Sequence, residues 1–565
     1  MKHTPVFFLA ALLGCSLLSE SCARDAKPRA YPVKQYPVPE RQKTSAEVPL
    51  PPAADAPAAE SVTLSPQVPE PLVIFECVEV PAMQGLVKNV RSNDMENLSL
   101  SFEVVEQGRG EDVMVQTPSV RAGLLTAGEI HDFSKWRLWE DIAANELGLF
   151  QQQWQLYPRE RYCTAVQTDG GTPLPGARVE LYSTDGAVLW TAVTDNNGIA
   201  ECWNRMFSPS DSREAASIKV SAGGEHRWIQ KIRPIAKGIN AVTMPVACGV
   251  SGDVDILWCV DATGSMGDEI DYLKAELDDI IGKTAAENTD LEIRTGSIFY
   301  RCQGNSYTTR TSPFSASLAV TRDFIRQQTA AEGGTEAVEV AMTEAMAMDW
   351  RPAARARIMF MVLDECPGRE QEVIDKLHAA TAQAAASGIR IVPLVSSGVD
   401  FSDDKSLEYL MRSLALATNG TYAFLTDHSG IGNSHTAPST NRYKVEALNE
   451  LLLRIIRQYT FFPGCPDDSA PLDLAQVLAD PETQPATDNF SLTLRPNPAR
   501  INVVVETSEA PDALWLTDNS GKWLMRAEFP GQTLSLDVTD FPSGLYFIKA
   551  SKGERWAGER LVIAR

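Results

Sequence analysis

Three hydrophobic patterns follow one another along the chain. Between 249 and 463, runs that are apolar at nearly every position (DILWCVD at 255–261, IMFMVL at 358–363, GIRIVPLVS at 388–396) alternate with segments whose apolar residues recur every three or four positions. Strands apolar on consecutive residues are covered on both faces, and their alternation with helices predicts a mostly parallel, doubly wound α/β sheet. Its strands are DILWCVD, LEIRTGSIFY with a hairpin partner at SYTTRTSPF, ARIMFMVLD, GIRIVPLVS and GTYAFL, and it closes on the helix VEALNELLLRIIRQY. From 159 to 247, and again from 489 to 565, the period is two and the runs are broken by DGG, TDG, DNNG, NSG and PSG turns. That pattern predicts two all-β sandwich domains flanking the α/β domain.

The remaining segments connect or address these domains. Residues 1–23 carry a Lys, an apolar stretch and small residues, the pattern of a secretory signal too short to span a bilayer. Cleavage near Ala23 is the first expectation; Leu12-Leu13-Gly14-Cys15 offers a lipoprotein box as the alternative. Residues 24–71 are rich in Pro and Ala and read as an extended linker, and 464–488 as a second one. The stretch 72–158 reads as a small α+β region, with Trp136 and Trp139 on the apolar side of a helix.

Charge narrows the partners. A formal net charge of -23, with no basic, aromatic-interleaved patch, excludes nucleic acid as an expected ligand. No run beyond the signal is apolar enough for a transmembrane helix. Ten cysteines in an exported chain make disulfides plausible. Cys248 and Cys465 bracket the α/β domain, whose ends should lie close together, and are expected to bridge. Cys163 and Cys202 are a second candidate pair, and Cys302 with Cys366 a third; Cys259, inside a buried strand, is expected to be a free thiol. There is no CxxC pair and no zinc spacing.

One strand end carries chemistry. DATGSM at 261–266 places Asp261, Thr263 and Ser265 beyond the carboxyl end of the first parallel strand, where doubly wound sheets collect ligands. These are hard oxygen donors, suited to Mg2+ before Mn2+ or Ca2+ and not to zinc or copper. With one charged group in the loop, a divalent cation there would stay electrophilic and accept an outside carboxylate. The bland alternative is that the same residues cap a helix. His428 and His435 flank a glycine loop and are read as loop residues, not ligands.

The arrangement DATGSMG resembles the metal-ion-dependent adhesion site of von Willebrand factor A domains, together with FYR at 299–301, GGTEAV at 333–338, FMVLDECPG at 360–368, GIRIVPLVSSG, and TNGTYAFLTDHSGIG at 418–432. The resemblance implies two further ligands, Thr335 and Asp364. The glycine stretch is shorter here than the pattern in bacterial relatives, so Thr335 stays the first expectation with Glu336 as the alternative to it, and Cys302 stands where relatives tend to carry an acid. PLPGARVELYSTDG and TAVTDNNGIAEC resemble carboxypeptidase-regulatory or transthyretin-like modules, which mostly act as spacers. Pro496-Asn497-Pro498, DNSGK at 518–522, PSGLYF at 542–547 and the terminal RLVIAR resemble the C-terminal sorting domain of type IX secretion cargo. That resemblance implies secretion, or anchoring on the outer surface of a Gram-negative bacterium, and contact with the type IX machinery.

The resulting expectation is a secreted or surface-displayed binding protein, not an enzyme, whose cation engages an exposed Asp or Glu of a protein partner. A metal-dependent hydrolase is the alternative; HExxH, GxSxG and Walker signatures are all lacking from the sequence. A structural role in a surface layer or in gliding is the third.

Overall fold

The computed structural model describes residues 121–268, 270–287, 290–396, 404–429, 438–441, 443–462, 464–465, 490–528, 531–553 and 555–564. The signal, the first linker, most of the 72–158 region, His435 and nearly all of the second linker lie outside them.

Eight strands form the central sheet, in the order Thr309–Ser315, Glu292–Tyr300, Asp253–Asp261, Ala356–Leu363, Ile389–Val395, Tyr422–Leu425, Thr126–Ile130 and Val445–Ala447. From Glu292–Tyr300 to Tyr422–Leu425 the strands are parallel, and antiparallel strands close both edges. The double winding follows from alternation. Along Asp253–Asp261, Val254, Ile256, Trp258 and Val260 enter one core, while Leu257 and Cys259 enter the other. Helices Ile270–Glu287 and Leu448–Thr460 fill the first with Leu273, Leu277, Leu452 and Ile456. Helices Val338–Ala347 and Gln371–Ser387 fill the second with Ala341, Met342 and Leu377.

Strand Thr126–Ile130 lies within this sheet, between Tyr422–Leu425 and Val445–Ala447, although the sequence pattern grouped it with 72–158. Two features seat it. Buried Glu276, on helix Ile270–Glu287, accepts the amides of Gly123, Leu124 and Leu125 at 2.8, 3.1 and 3.2 Å. Gly128 leaves room for the rings of Phe424 and Tyr443, which a Cβ would meet at 2.6 and 2.8 Å.

Residues 160–244 form a sandwich of a three-stranded and a four-stranded sheet, and residues 492–563 form another. The first packs directly on the α/β domain. The Asn196 amide donates to the carbonyls of Gln458 and Phe461 at 2.9 and 2.7 Å, and Arg390 pairs with Asp195 at 2.9 Å.

Cys248 and Cys465 are disulfide-bonded, with Cα atoms 5.8 Å apart, and close the ends of the α/β domain as the sequence implied. Cys163 and Cys202 are free thiols instead of the expected bridge. The register explains the correction: Cys163 stands opposite Glu201, and Cys202 opposite Tyr162. A one-residue offset between paired strands puts the two side chains on opposite faces of the sheet. Cys259 and Cys302 are also free.

Candidate metal centre

Asp261 ends the central parallel strand, flanked on both sides by strands running the same way. Past it the chain turns through Ala262 and Thr263 into a short 3-10 turn, Gly264–Asp268, and then into the helix from Ile270. The Thr263 amide donates to Asp261 Oδ1 at 2.7 Å, and the Thr263 and Ser265 hydroxyls are 2.9 Å apart. Asp364 follows the neighbouring strand, Ala356–Leu363.

A third loop completes the cluster. Glu336 makes one-residue bridges with Cys302 on one side and Pro367 on the other, threading between the loops that follow two strands. Its Oε1 accepts from the Thr263 hydroxyl at 3.4 Å. Carboxylate oxygens of Asp261, Glu336 and Asp364 lie within 4.8 Å of one another, and all three residues are buried, at 0%, 2% and 2% exposure. Thr335, which the resemblance implied as a ligand, is exposed; the substitute, Glu336, is the residue in the cluster. His428 is exposed on a short turn at Asp427–Ser429.

Among the described residues, four oxygens here are buried without a hydrogen-bond partner: Asp261 Oδ2, Glu336 Oε2 and both of Asp364. A buried unpartnered carboxylate oxygen is costly, and three carboxylates facing one another compound that cost. Burial raises all three above the usual carboxylate range. Their mutual repulsion adds to this for Glu336 and Asp364, and Asp364 is pushed up to about 8. A hard cation seated among these oxygens meets that deficit, so the donor set fits the group the sequence implied.

The scaffold of the cluster is specific. The Gly264 amide donates to the Glu332 carbonyl at 2.6 Å, and a Cβ on Gly264 would sit 2.7 Å from that oxygen. Buried Arg301 ties the two loops together: its Nε donates to the Ala262 carbonyl at 3.0 Å, its Nη2 to the Thr329 carbonyl at 2.7 Å, and it pairs with Glu332 at 3.1 Å. Sequence reasoning noted Arg301 only as part of a pattern. Its signal in the sequence was an Arg immediately after a strand; the carboxylates beside it come from distant positions and meet it only in the fold. The Tyr300 hydroxyl, buried without a partner, is held protonated by burial and by the charges of Asp261 and Glu336.

Residues 493–564 match the family described as a secretion system C-terminal sorting domain. The chain carries a secretion sorting domain. It is a secreted or outer-surface protein of a Gram-negative cell, linked through this segment to the secretion machinery. Similar solved structures include BatB from Bacteroides thetaiotaomicron, at 14% identity over 36% of this chain and 98% of that one, with a TM-score of 0.26. A von Willebrand factor type A protein from Catenulispora acidiphila is 11% identical over 73% of this chain and 75% of that one, also with a TM-score of 0.26. No curated protein matches the chain significantly. Among the described residues, no helix is long and apolar enough to cross a membrane.

Proposed function

We propose that Asp261, Glu336 and Asp364, with the hydroxyls of Thr263 and Ser265, hold one divalent cation, Mg2+ first and Mn2+ or Ca2+ as alternatives, and that the secreted chain binds a partner through it. The observation supporting this is the set of four unpartnered carboxylate oxygens in one buried cluster at the carboxyl ends of parallel strands. Hydrogen-bonded helix capping, the bland alternative, leaves no reason for Glu336 and Asp364 to face Asp261. The cation supplies a site for an oxygen of the partner; Arg301 and Gly264 position the loops that carry its ligands.

Glu336 changes the ligand class expected from the sequence. Three carboxylates around a divalent cation leave a formal charge of −1 on the cluster. Its field repels an approaching acid, where a hydroxyl in place of Glu336 leaves the cluster neutral. A neutral oxygen, a hydroxyl or carbonyl, therefore competes better than the Asp or Glu side chain first expected. Binding, not turnover, is the proposed role.

The test is calorimetric titration of the full chain with MgCl2 and MnCl2. Uptake of one ion per chain is expected, lost in Glu336→Ala and retained in Thr335→Ala; a loss in Thr335→Ala with uptake intact in Glu336→Ala would reject the ligand set. Water-proton relaxation of the Mn2+-loaded chain tests the ligand class. Acetate should displace little water from the wild type and more from Glu336→Gln, whereas equal displacement returns the site to an acidic ligand.

A further inference from the structure

The sorting domain projects one tight turn into the rest of the molecule. Asp518 Oδ1 accepts the amides of Ser520 and Lys522, each at 2.9 Å, and Gly521 takes a φ of +80° that a side chain would resist. The turn delivers Lys522, only 2% exposed, to partners outside its own domain. Its ammonium lies 3.4 Å from Glu201 and 3.9 Å from Asp195, both of the first sandwich, and donates to Asn419 Oδ1 of the α/β domain. It also stands 4.6 Å over the ring of Phe133.

The surroundings of this lysine are matched to it. Glu201 is shared with Arg161, which holds both carboxylate oxygens at 2.8 Å and donates to the Trp523 carbonyl at 3.2 Å. The Trp523 amide donates to the Phe133 carbonyl at 3.0 Å, and Asn197 Nδ2 to Asn519 Oδ1 at 2.8 Å. Away from the turn, the Ser543 amide donates to the Gly171 carbonyl. Lysine is almost never buried unless paired, and a flexibly tethered domain would leave such a residue in water. Here both carboxylates within ion-pair distance, Glu201 and Asp195, belong to another domain, while buried Asp518 of its own turn adds a further negative charge nearby.

We infer that the sorting domain is clasped by the body of the protein through Lys522, so that cutting the chain between 466 and 489 does not release it. The cut piece stays bound as a non-covalent partner, held by a buried ammonium in an acidic socket formed by Asp195 and Glu201. A molecule that reads the 518–522 turn must then meet the undocked domain.

The experiment inserts a specific protease site into the second linker of the full, oxidised chain, cuts it to completion, and follows the two pieces by size-exclusion chromatography during dilution. Co-elution at micromolar concentration is expected, with or without MgCl2; separation there overturns the inference. In Lys522→Met, breaking the buried pair should weaken retention on the order of 100-fold. If the variant pieces stay together as tightly as the wild type, the clasp is not Lys522 and the inference fails. Should Lys522→Met misfold before cutting, hydrogen exchange on the uncut wild type decides. The Trp523 amide should be protected, and exchange at the rate of an exposed amide rejects the docking.

Discussion

An extended backbone turns successive side chains to opposite sides, and the paired bridges to Cys302 and Pro367 put Glu336 in that state. If Glu336 faces Asp261, its neighbour Thr335 must face away, which is where it stands. No hydrophobic period runs through the Gly333-Gly334 turn to say which of the two would point inward. The pair was legible in the sequence, but the choice was not. Asp261, Thr263 and Ser265 were legible because the apolar run of Asp253–Asp261 fixes where that strand ends, whereas Asp364 was singled out only by the family resemblance. The raised carboxylates also set a pH dependence. A carboxyl whose folded pKa lies above its unfolded value binds more protons when folded, so its contribution is present at low pH and lost as pH rises. In EDTA, the melting temperature should fall as pH rises from about 4, the unfolded value, toward the value near 8 reached by Asp364. Added MgCl2 should oppose that fall, because metal replaces the protons; a chelated protein whose melting temperature rises over this interval contradicts the assignment.

At the level of elements, the parallel strands announced themselves by being apolar on both faces, and the hairpin at Thr309–Ser315 by its turn and alternation. Strand Thr126–Ile130 did not, because its two partners come from the far end of the α/β domain and its centre is a glycine. The Cys163–Cys202 pairing failed for a related reason: a two-residue period marks the faces of each strand, while register is decided between strands. The loop supports carry their own prediction. Gly264→Ala must move the Glu332 carbonyl or the Asp261 loop, since the added carbon would sit 2.7 Å from that oxygen. Mn2+ affinity should drop by about 10-fold or more, as for other changes that disturb ligand orientation, with the fold retained by circular dichroism; unchanged affinity would show the contact to be slack.

Across the whole molecule, the three domains share buried surface. Residues of both sandwiches, Trp203 and Ile548 among them, belong to the same apolar core as one face of the α/β sheet. The first sandwich packs on the α/β domain, holding Asp195 against Arg390 of strand Ile389–Val395 and Asn196 against the end of helix Leu448–Thr460. The disulfide adds a covalent limit at this scale. Closing 217 residues removes unfolded-state entropy worth roughly 5 kcal/mol in the loop-entropy account. Cys248→Ser with Cys465→Ser should therefore lower the melting temperature by several degrees without changing Mn2+ uptake, and loss of uptake would show that the bridge shapes the site.

The claim on which the functional reading rests is that the rim carboxylates belong to a cation. Calorimetric titration of the intact chain with MnCl2, beside Asp261→Ala and Glu336→Ala, tests it most directly. The account predicts saturation at one ion per chain in the wild type and none in either variant; no heat in the wild type, or the same isotherm in all three, contradicts it.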